Sequence, residues 1–372
     1  MARKPGLATK LALMWARGFA RKHPPPGLEP LNTGTRARIL VVNTTGIGDT
    51  IFCTGPVADL RESFPYAHLE VFVDRRREEI MRHNPRLNGI VTYQGKFKSV
   101  GATLKALRAG RFDVAIIQHA NDPDVVPMVA KAGIPALVGY ASHTFSGLYA
   151  VKLSPADRAG GAHTMDARLA LTRAIGARGE HWHTEIFPQP ADQRAAHDLL
   201  ARHNLRERAA VALNLGGSVN SKRWPLDNWR ALAQRLHERG LATIMVGGPN
   251  EKAAAAAVLA TLPSSSRAAS AAGSLHFMAS AALLKACRAH VSADTGLMHA
   301  GLALDVPTVA LFGPDDPKWT GPYPRQENAV VVQSPAASAG VIDRRKDDGA
   351  LMRAITVESV LKAFERVQGA LQ

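Results

Sequence analysis

The stretch VSADTGLMHAGLALDVPTVALFGP, residues 291–314, decides the fold of this chain. It predicts a strand that ends at Asp294, a short helix over residues 297–304 and a second strand over residues 308–312. In an open α/β sheet, ligands bind outside the carboxyl ends of the strands. A helix that begins there directs free N–H groups at the ligand, which suits a phosphate. The Asp294 carboxylate suits the hydroxyls of a sugar instead, although an ordinary helix cap is an equal alternative.

Strands and helices alternate along the rest of the chain in two series of similar size. Strands are predicted over residues 38–43, 68–74, 89–93 and 113–117, and then over residues 210–215, 241–246 and 289–292. The irregular segment 177–190, which contains two prolines, lies between the series. This alternation indicates parallel sheets with helices on both faces. The expected fold is therefore α/β, with two Rossmann-like domains that face each other across a cleft.

Composition restricts the class of protein. The 372 residues favour two domains, and the net charge of +15 favours an anionic partner. Two distant cysteines, Cys53 and Cys287, indicate a reducing compartment and argue against a cysteine-built zinc site. The chain lacks the basic and aromatic interleaving of an RNA-binding sheet, so no nucleic-acid partner is expected. No apolar run is long enough to cross a bilayer.

The first 35 residues form a basic N-terminal extension. Apolar residues recur within it at helical spacing, at Leu7, Leu11, Met14, Trp15 and Phe19. Cations follow one flank of that face, at Lys10, Arg17 and Arg21, and Arg3, Lys4 and Lys22 add charge. This pattern is typical of a helix that lies on an anionic membrane surface, and a helix docked on its own domain is the alternative. A proline-rich linker follows.

The loop after the first strand carries Thr45, Gly46, Gly48 and Asp49. A dinucleotide fingerprint needs a third glycine where Ile51 stands, so that fingerprint is weak. Two glycines still let a ligand approach the backbone. A carboxylate at the start of a helix remains ionised, so Asp49 could act as a general base on an acceptor hydroxyl. The alternative is a helix cap.

The loop after the strand at 210–215 is a third candidate site. It contains Gly217, Ser218 and Lys222 before a helix that is predicted to begin at Pro225. Flexible backbone, a hydroxyl and a cation at a helix start resemble a phosphate cradle. In the alternative, Lys222 is a solvated loop charge. His299, in the helix after Asp294, could contact the ligand or pack in the core.

In this order, the three motifs resemble the bacterial heptosyltransferases of glycosyltransferase family 9. The resemblance is carried by GDTIFCTGP at residues 48–56, KRWP at 222–225, DTGLMH at 294–299 and the later segments 312–314 and 320–322. It covers about residues 36–370. The family resemblance implies a GT-B architecture with an acceptor-side domain over 36–185 and a nucleotide-sugar-binding domain over 190–350. It also implies a C-terminal helix, residues 351–372, that crosses back toward the first domain.

The resemblance implies an inverting, metal-independent transfer from a nucleotide-diphosphate sugar, which is ADP-heptose in the best-known members. Asp49 would be the base, and the loop at Thr45, Gly46 and Gly48 would face the acceptor. Donor contacts would come from Gly217, Ser218, Lys222, Asn250, Asp294, Thr295, Gly296, Leu297 and His299. The acceptor would be an anionic glycolipid, the growing lipopolysaccharide core, at the inner face of the cytoplasmic membrane. The protein would be cytoplasmic and peripheral on that membrane, and no cofactor or metal is expected.

Three other functions stay open at this point. A different nucleotide-sugar donor is one, because Gly217 and Ser218 stand where the compared heptosyltransferases carry threonines. A non-catalytic carbohydrate-binding protein at a membrane surface is another, although Asp49, Lys222 and Asp294 are all retained. An NAD-dependent oxidoreductase is the weakest, because its third glycine is absent.

Overall fold

A computed structural model describes residues 7–157, 163–337 and 347–369 of the chain. The chain divides into two compact units, and the division lies between Glu185 and Ile186. This position falls inside the segment 177–190, where a linker is expected. The N-terminal helix belongs to the first unit, and the C-terminal helix belongs to the second. Arg3 and Lys4 of the predicted basic extension lie outside the described residues.

The first unit is a parallel six-stranded sheet covered by helices. Its strands are β1 (Arg38–Asn43), β2 (His68–Asp74), β3 (Gly89–Tyr93), β4 (Val114–His119), β5 (Ala136–Tyr140) and β6 (Val151–Leu153). Its helices are α1 (Leu7–Lys22), α2 (Ile47–Phe52), α3 (Thr54–Ser63), α4 (Glu78–Met81), α5 (Val100–Ala109), α6 (Val125–Lys131) and α7 (Thr164–Arg173). The strand order is β3-β2-β1-β4-β5-β6.

The second unit repeats this architecture. Its strands are β7 (Ala210–Asn214), β8 (Ala242–Val246), β9 (Ala268–Ser270), β10 (Ala289–Ala293), β11 (Thr308–Phe312) and β12 (Ala329–Gln333). Its helices are α8 (Pro190–Arg202), α9 (Leu226–Glu238), α10 (Lys252–Leu259), α11 (Phe277–Lys285), α12 (Gly296–Ala303), α13 (Pro317–Thr320), α14 (Ala350–Arg353) and α15 (Val357–Gly369). The strand order is β12-β11-β10-β7-β8-β9.

The two sheets have the same topology. In each, the first strand of the series pairs with the second on one side and with the fourth on the other, all in parallel. The connections that follow two adjacent strands therefore run toward opposite edges of the sheet. These strands are β1 and β4 in the first unit and β7 and β10 in the second. Such switch points are where doubly wound sheets bind ligands. The expected pair of Rossmann-like α/β sheets is confirmed.

Most predicted elements lie where expected, and the exceptions have local causes. β4 runs two residues past its predicted end and carries the polar Gln118 and His119 to the edge of the sheet. α9 begins at Leu226 because Pro225 is its N-cap rather than its first residue. The sequence analysis missed α8, which begins at Pro190 with the Asp192 carboxylate accepting the Gln189 N–H at 2.7 Å. It also missed the strands β5, β6, β9 and β12.

The terminal helices pack into the cores of their own units. α15 buries Val360, Leu361, Phe364 and Val367 beside Trp224 and Trp229 of the second unit. Its predicted packing toward the first domain stays a prediction. Along the described ranges, no helix is both long enough and apolar enough to span a bilayer.

Candidate active site at two sheet edges

Asp49 lies at the carboxyl edge of the first sheet, beside the switch point. β1 ends at Asn43, and α2 begins at Ile47 with Gly46 as its N-cap and with no side-chain cap. The alternative in which Asp49 serves only as a helix cap is therefore wrong. The carboxylate lies in the first turn of α2, and its side chain is 30% exposed.

Two cationic or proton-bearing side chains meet the same oxygen of Asp49. Arg168 from α7 donates from Nη2 to Oδ1 at 3.0 Å, and Nδ1 of His119 at the end of β4 lies 3.0 Å from that atom. The Arg168 guanidinium is almost fully buried and also donates from Nη1 to Asn43 Oδ1 at 3.1 Å. These contacts fix the orientation of the carboxylate.

The electrostatics of this cluster keep Asp49 ionised. Burial alone would raise the pKa of Asp49, but the hydrogen bond with His119 and the positive charge of Arg168 outweigh it. The pKa therefore lies well below its usual range. Burial raises the pKa of the neighbouring Cys53 to about 12, so this thiol is not a nucleophile at neutral pH.

The acceptor-side loop residues surround this carboxylate. Thr45 Oγ1 lies 3.0 Å from His119 Nδ1, and a Cβ added to Gly46 would lie 3.5 Å from Asp49 Oδ2. Gly48 lies in the first turn of α2. All three are brought to one edge of the sheet with Asp49, as the sequence predicts.

In the second unit, Lys222 lies between two carboxylates. Its Nζ is 2.5 Å from Asp294 Oδ2, and it forms a second ion pair with Asp315 Oδ2. The three side chains are 10%, 10% and 11% exposed, in that order. The alternative in which Lys222 is a solvated loop charge is therefore wrong, whereas the neighbouring Arg223 is exposed.

Asp294 follows β10 without capping the next helix. The N-cap of α12 is Thr295, whose hydroxyl accepts the Met298 N–H at 3.3 Å. The capping alternative for Asp294 is therefore wrong. Its second oxygen, Oδ1, lies 3.5 Å from Nε2 of the buried His299. His299 is thus both packed in the unit and adjacent to the site.

The two aspartates of this cluster have pKa values that are shifted in opposite directions. Burial would raise the pKa of Asp294, but the hydrogen bond with His299 and the charge of Lys222 outweigh it and lower that pKa. For Asp315, burial raises the pKa, and the adjacent Asp294 carboxylate raises it further against the effect of Lys222. The two aspartates therefore share one lysine, and Asp315 is the one that takes up a proton first.

Backbone amides without intrahelical partners and a glycine-containing loop lie beside this cluster. α12 begins at Gly296, so the amides of Gly296 and Leu297 lie in its first turn, where intrahelical acceptors are absent. In the loop after β7, a Cβ on Gly217 would lie 2.8 Å from Arg223 Cγ, and the Ser218 side chain is exposed. Asn250 is exposed in the loop after β8, the neighbour of β7.

The sequence analysis missed three residues of these clusters. His119 and Arg168 contact Asp49, and Asp315 contacts Lys222. A fourth, Asn214 at the end of β7, donates to Ser292 Oγ at 2.8 Å and to Thr295 Oγ1 at 2.7 Å, which ties the two strand ends together. Asn214 and His119, each the polar last residue of a buried strand, carry a signal in the local sequence.

Comparisons with known proteins agree with this architecture. The model of glycosyltransferase family 9 (heptosyltransferase) matches residues 100–346, which is more than half of the chain. Lipopolysaccharide heptosyltransferase 1 from Pseudomonas aeruginosa is 27% identical over 316 residues, which cover 81% of this chain and 85% of that protein.

Two solved structures are similar over almost their whole length. A family 9 glycosyl transferase from Veillonella parvula has a TM-score of 0.81 and 24% identity, covering 92% of this chain and 99% of that one. The E. coli ADP-heptose lipopolysaccharide heptosyltransferase II has a TM-score of 0.71 and 23% identity, covering 89% and 98%. Both show the same fold. With the family match over most of its length, the chain belongs to glycosyltransferase family 9, and it is a glycosyltransferase.

Proposed function

We propose that this glycosyltransferase moves a heptose from ADP-heptose to a lipopolysaccharide core acceptor, with inversion at the anomeric carbon. The observation that carries the proposal is the Lys222–Asp294 pair at the switch point of the second unit, beside the first-turn amides of α12. A relative from Pseudomonas aeruginosa is a lipopolysaccharide heptosyltransferase, and a similar E. coli structure is named for ADP-heptose.

The donor binds at the second unit. Lys222 and the amides of Gly296 and Leu297 take the diphosphate, because a cation and free N–H groups complement its charge. Gly217 and Ser218 let the phosphates approach the backbone. The Asp294 carboxylate accepts hydrogen bonds from sugar hydroxyls, with Thr295 and His299 beside it. Asn250 lies toward the nucleoside.

The acceptor hydroxyl meets Asp49 of the first unit. Its oxygen attacks the anomeric carbon as the bond from that carbon to the diphosphate oxygen breaks, and its proton passes to Asp49. The lowered pKa keeps the Asp49 carboxylate ionised near neutral pH, and Arg168 and His119 hold it in place. Lys222 and the helix amides stabilise the departing diphosphate. We expect no metal requirement, so transfer should persist in EDTA.

The acceptor is an anionic glycolipid, which places the enzyme on the inner face of the cytoplasmic membrane as a peripheral protein. The net charge of +15 supports an anionic partner. The core saccharide is joined to a lipid that stays in the bilayer, so an enzyme that reaches it works at the membrane surface.

The first experiment compares thermal stabilisation by ADP, UDP, GDP and NADH. A ligand that binds only the folded protein raises its melting temperature with occupancy. We expect selective stabilisation by ADP that is lost in Lys222→Ala and kept in Lys318→Ala, a matched exposed lysine. Preference for UDP or GDP would change the donor. No response to any nucleoside diphosphate would contradict the proposed donor site.

The second experiment measures transfer from ADP-heptose to a heptose-free core glycolipid. Asp49→Asn should lower kcat by about 10²–10⁴, the usual contribution of a general base, while ADP still stabilises the variant. Full transfer by Asp49→Asn would show that another group accepts the proton.

A further inference from the structure

The outward face of α1 exposes a row of large apolar side chains. Leu7, Leu11 and Met14 are 74%, 56% and 69% exposed. Their spacing of four and three residues places them on one side of the helix, one turn after another. A protein surface normally carries isolated apolar side chains, whereas these three lie next to each other on successive turns of one helix. We call them the α1 stripe.

The opposite face of α1 fixes the stripe in place. Ala16 is buried, and Leu13 and Phe19 pack against the core of the first unit that contains Phe145 and Leu148. Trp15 stacks on Phe19 at 4.9 Å between ring centroids and packs on the same core. The predicted membrane face included Trp15 and Phe19. For these two residues the prediction is wrong, because both pack against the core of the first unit. The helix therefore packs on its own domain with one face and exposes an apolar row on the other.

Cations follow one flank of the stripe. Lys10, Arg17 and Arg21 are exposed, and in the described part of the chain no ion pair joins them to an acidic side chain. The first acidic residue of the whole sequence is Glu29, so no carboxylate of the helix itself can neutralise them. A convex helix with an apolar centre and a cationic flank complements a surface whose phosphates lie outside its acyl chains.

We infer that the α1 stripe docks the first unit on an anionic phospholipid bilayer. Leu7, Leu11 and Met14 enter the boundary between headgroups and acyl chains, and the flanking cations contact lipid phosphates. The inference names the surface that would hold the enzyme beside its glycolipid acceptor. It rests on α1 alone, so it stands or fails independently of the sugar that is transferred.

The test is co-sedimentation of the full chain with vesicles. One set contains phosphatidylcholine alone, and the other contains equal parts of phosphatidylcholine and phosphatidylglycerol. We expect binding to the anionic vesicles that weakens as salt rises, and little binding to the neutral ones. Equal binding to both sets, or none to either, would overturn the inference.

Two triple variants separate the apolar and the ionic parts. Leu7→Ser with Leu11→Ser and Met14→Ser should weaken the partition by at least about tenfold, because buried methylene groups are lost. Lys10→Glu with Arg17→Glu and Arg21→Glu should weaken it by roughly a hundredfold. The matched control, Lys318→Glu with Lys362→Glu and Arg366→Glu, makes the same charge change on exposed residues of the second unit and should weaken it far less.

Melting temperature and sedimentation without lipid complete the test. Because the changed side chains face outward, all variants should melt as the parent does. If the parent is an oligomer without lipid and the serine variant is a monomer, the occupant of the stripe is a second copy, and the bilayer is excluded. Unchanged vesicle binding in both α1 variants would also refute the inference.

Discussion

Replacing Lys222 by methionine removes the cation that lies between the carboxylates of Asp294 and Asp315. All three side chains are about nine-tenths buried, so water cannot take the place of the ammonium group. Removing one partner of a buried ion pair costs about 3–5 kcal/mol, most of it from the charge left behind. We expect Lys222→Met to lower the free energy of unfolding by an amount in this range near neutral pH.

The loss should depend on pH in a defined direction. The pKa of Asp315 is already raised in the folded protein, and removing Lys222 raises it further. A carboxyl group whose pKa is higher in the folded than in the unfolded protein contributes stability at pH values below its pKa in the unfolded protein, which is about 4. This contribution disappears as pH rises through its pKa in the folded protein. The deficit of Lys222→Met should therefore be largest at about pH 7.5 and shrink toward about pH 5.

The assay is urea unfolding followed by tryptophan fluorescence, because Trp224 and Trp229 are buried together in the second unit. Lys318→Met, which changes an exposed lysine of the same unit, should stay within about 0.5 kcal/mol of the parent. Adding Asp315→Asn to Lys222→Met should recover part of the loss. A deficit that is absent, independent of pH or untouched by Asp315→Asn would refute the electrostatic account.

Three further predictions concern single side chains. Burial lowers the pKa of His290 to about 3, so the folded protein loses stability as pH falls below about 6.5. In urea unfolding, His290→Leu should reduce the dependence of the free energy of unfolding on pH in this range by up to about 1.4 kcal/mol per pH unit. An unchanged dependence on pH would contradict this. Gly217→Ala should weaken ADP binding by about tenfold in calorimetry, because the new Cβ would lie 2.8 Å from Arg223 Cγ; unchanged affinity would show that the loop yields freely. Beside the His119 hydrogen bond, the Arg168 charge lowers the pKa of Asp49, so Arg168→Met should make kcat begin to fall at a higher pH on acidification than it does in the parent. A pH profile of kcat identical to that of the parent would refute this role of Arg168.

The sequence was sufficient for the strands nearest each switch point and for Asp49 and Asp294, which follow two of them, but it missed β5, β6, β9 and β12. A buried parallel strand reads as a continuous apolar run, and a glycine-containing turn marks its end, so Asp49 and Asp294 could be placed without coordinates. The alternation of strands with helices then predicts that the sheets are parallel, whereas the strand order comes from the structure. The side chain of Lys222 could be located in its loop, but its two ion pairs could not be anticipated.

The missed residues share a physical reason, which is contact across long sequence separation. Arg168 lies in the middle of α7 and reaches Asp49 across 119 residues, and nothing in its local pattern separates it from a surface arginine. His119 was missed because the polar end of β4 reads as a loop. Asp315 follows a glycine and a proline, where an aspartate usually belongs to a turn.

The two switch points each pair a carboxylate with a basic side chain, but in opposite order along the chain. In the first unit, Asp49 follows the first strand and His119 ends the fourth; in the second, Lys222 follows the first strand and Asp294 follows the fourth. Each pair therefore joins the ends of two adjacent parallel strands. If the donor binds as proposed, its diphosphate would compete with Asp294 and Asp315 for Lys222. The two carboxylates satisfy the buried ammonium group of Lys222 and keep the cluster assembled. In the proposed mechanism, the same competition would limit how tightly the nucleoside diphosphate product is held.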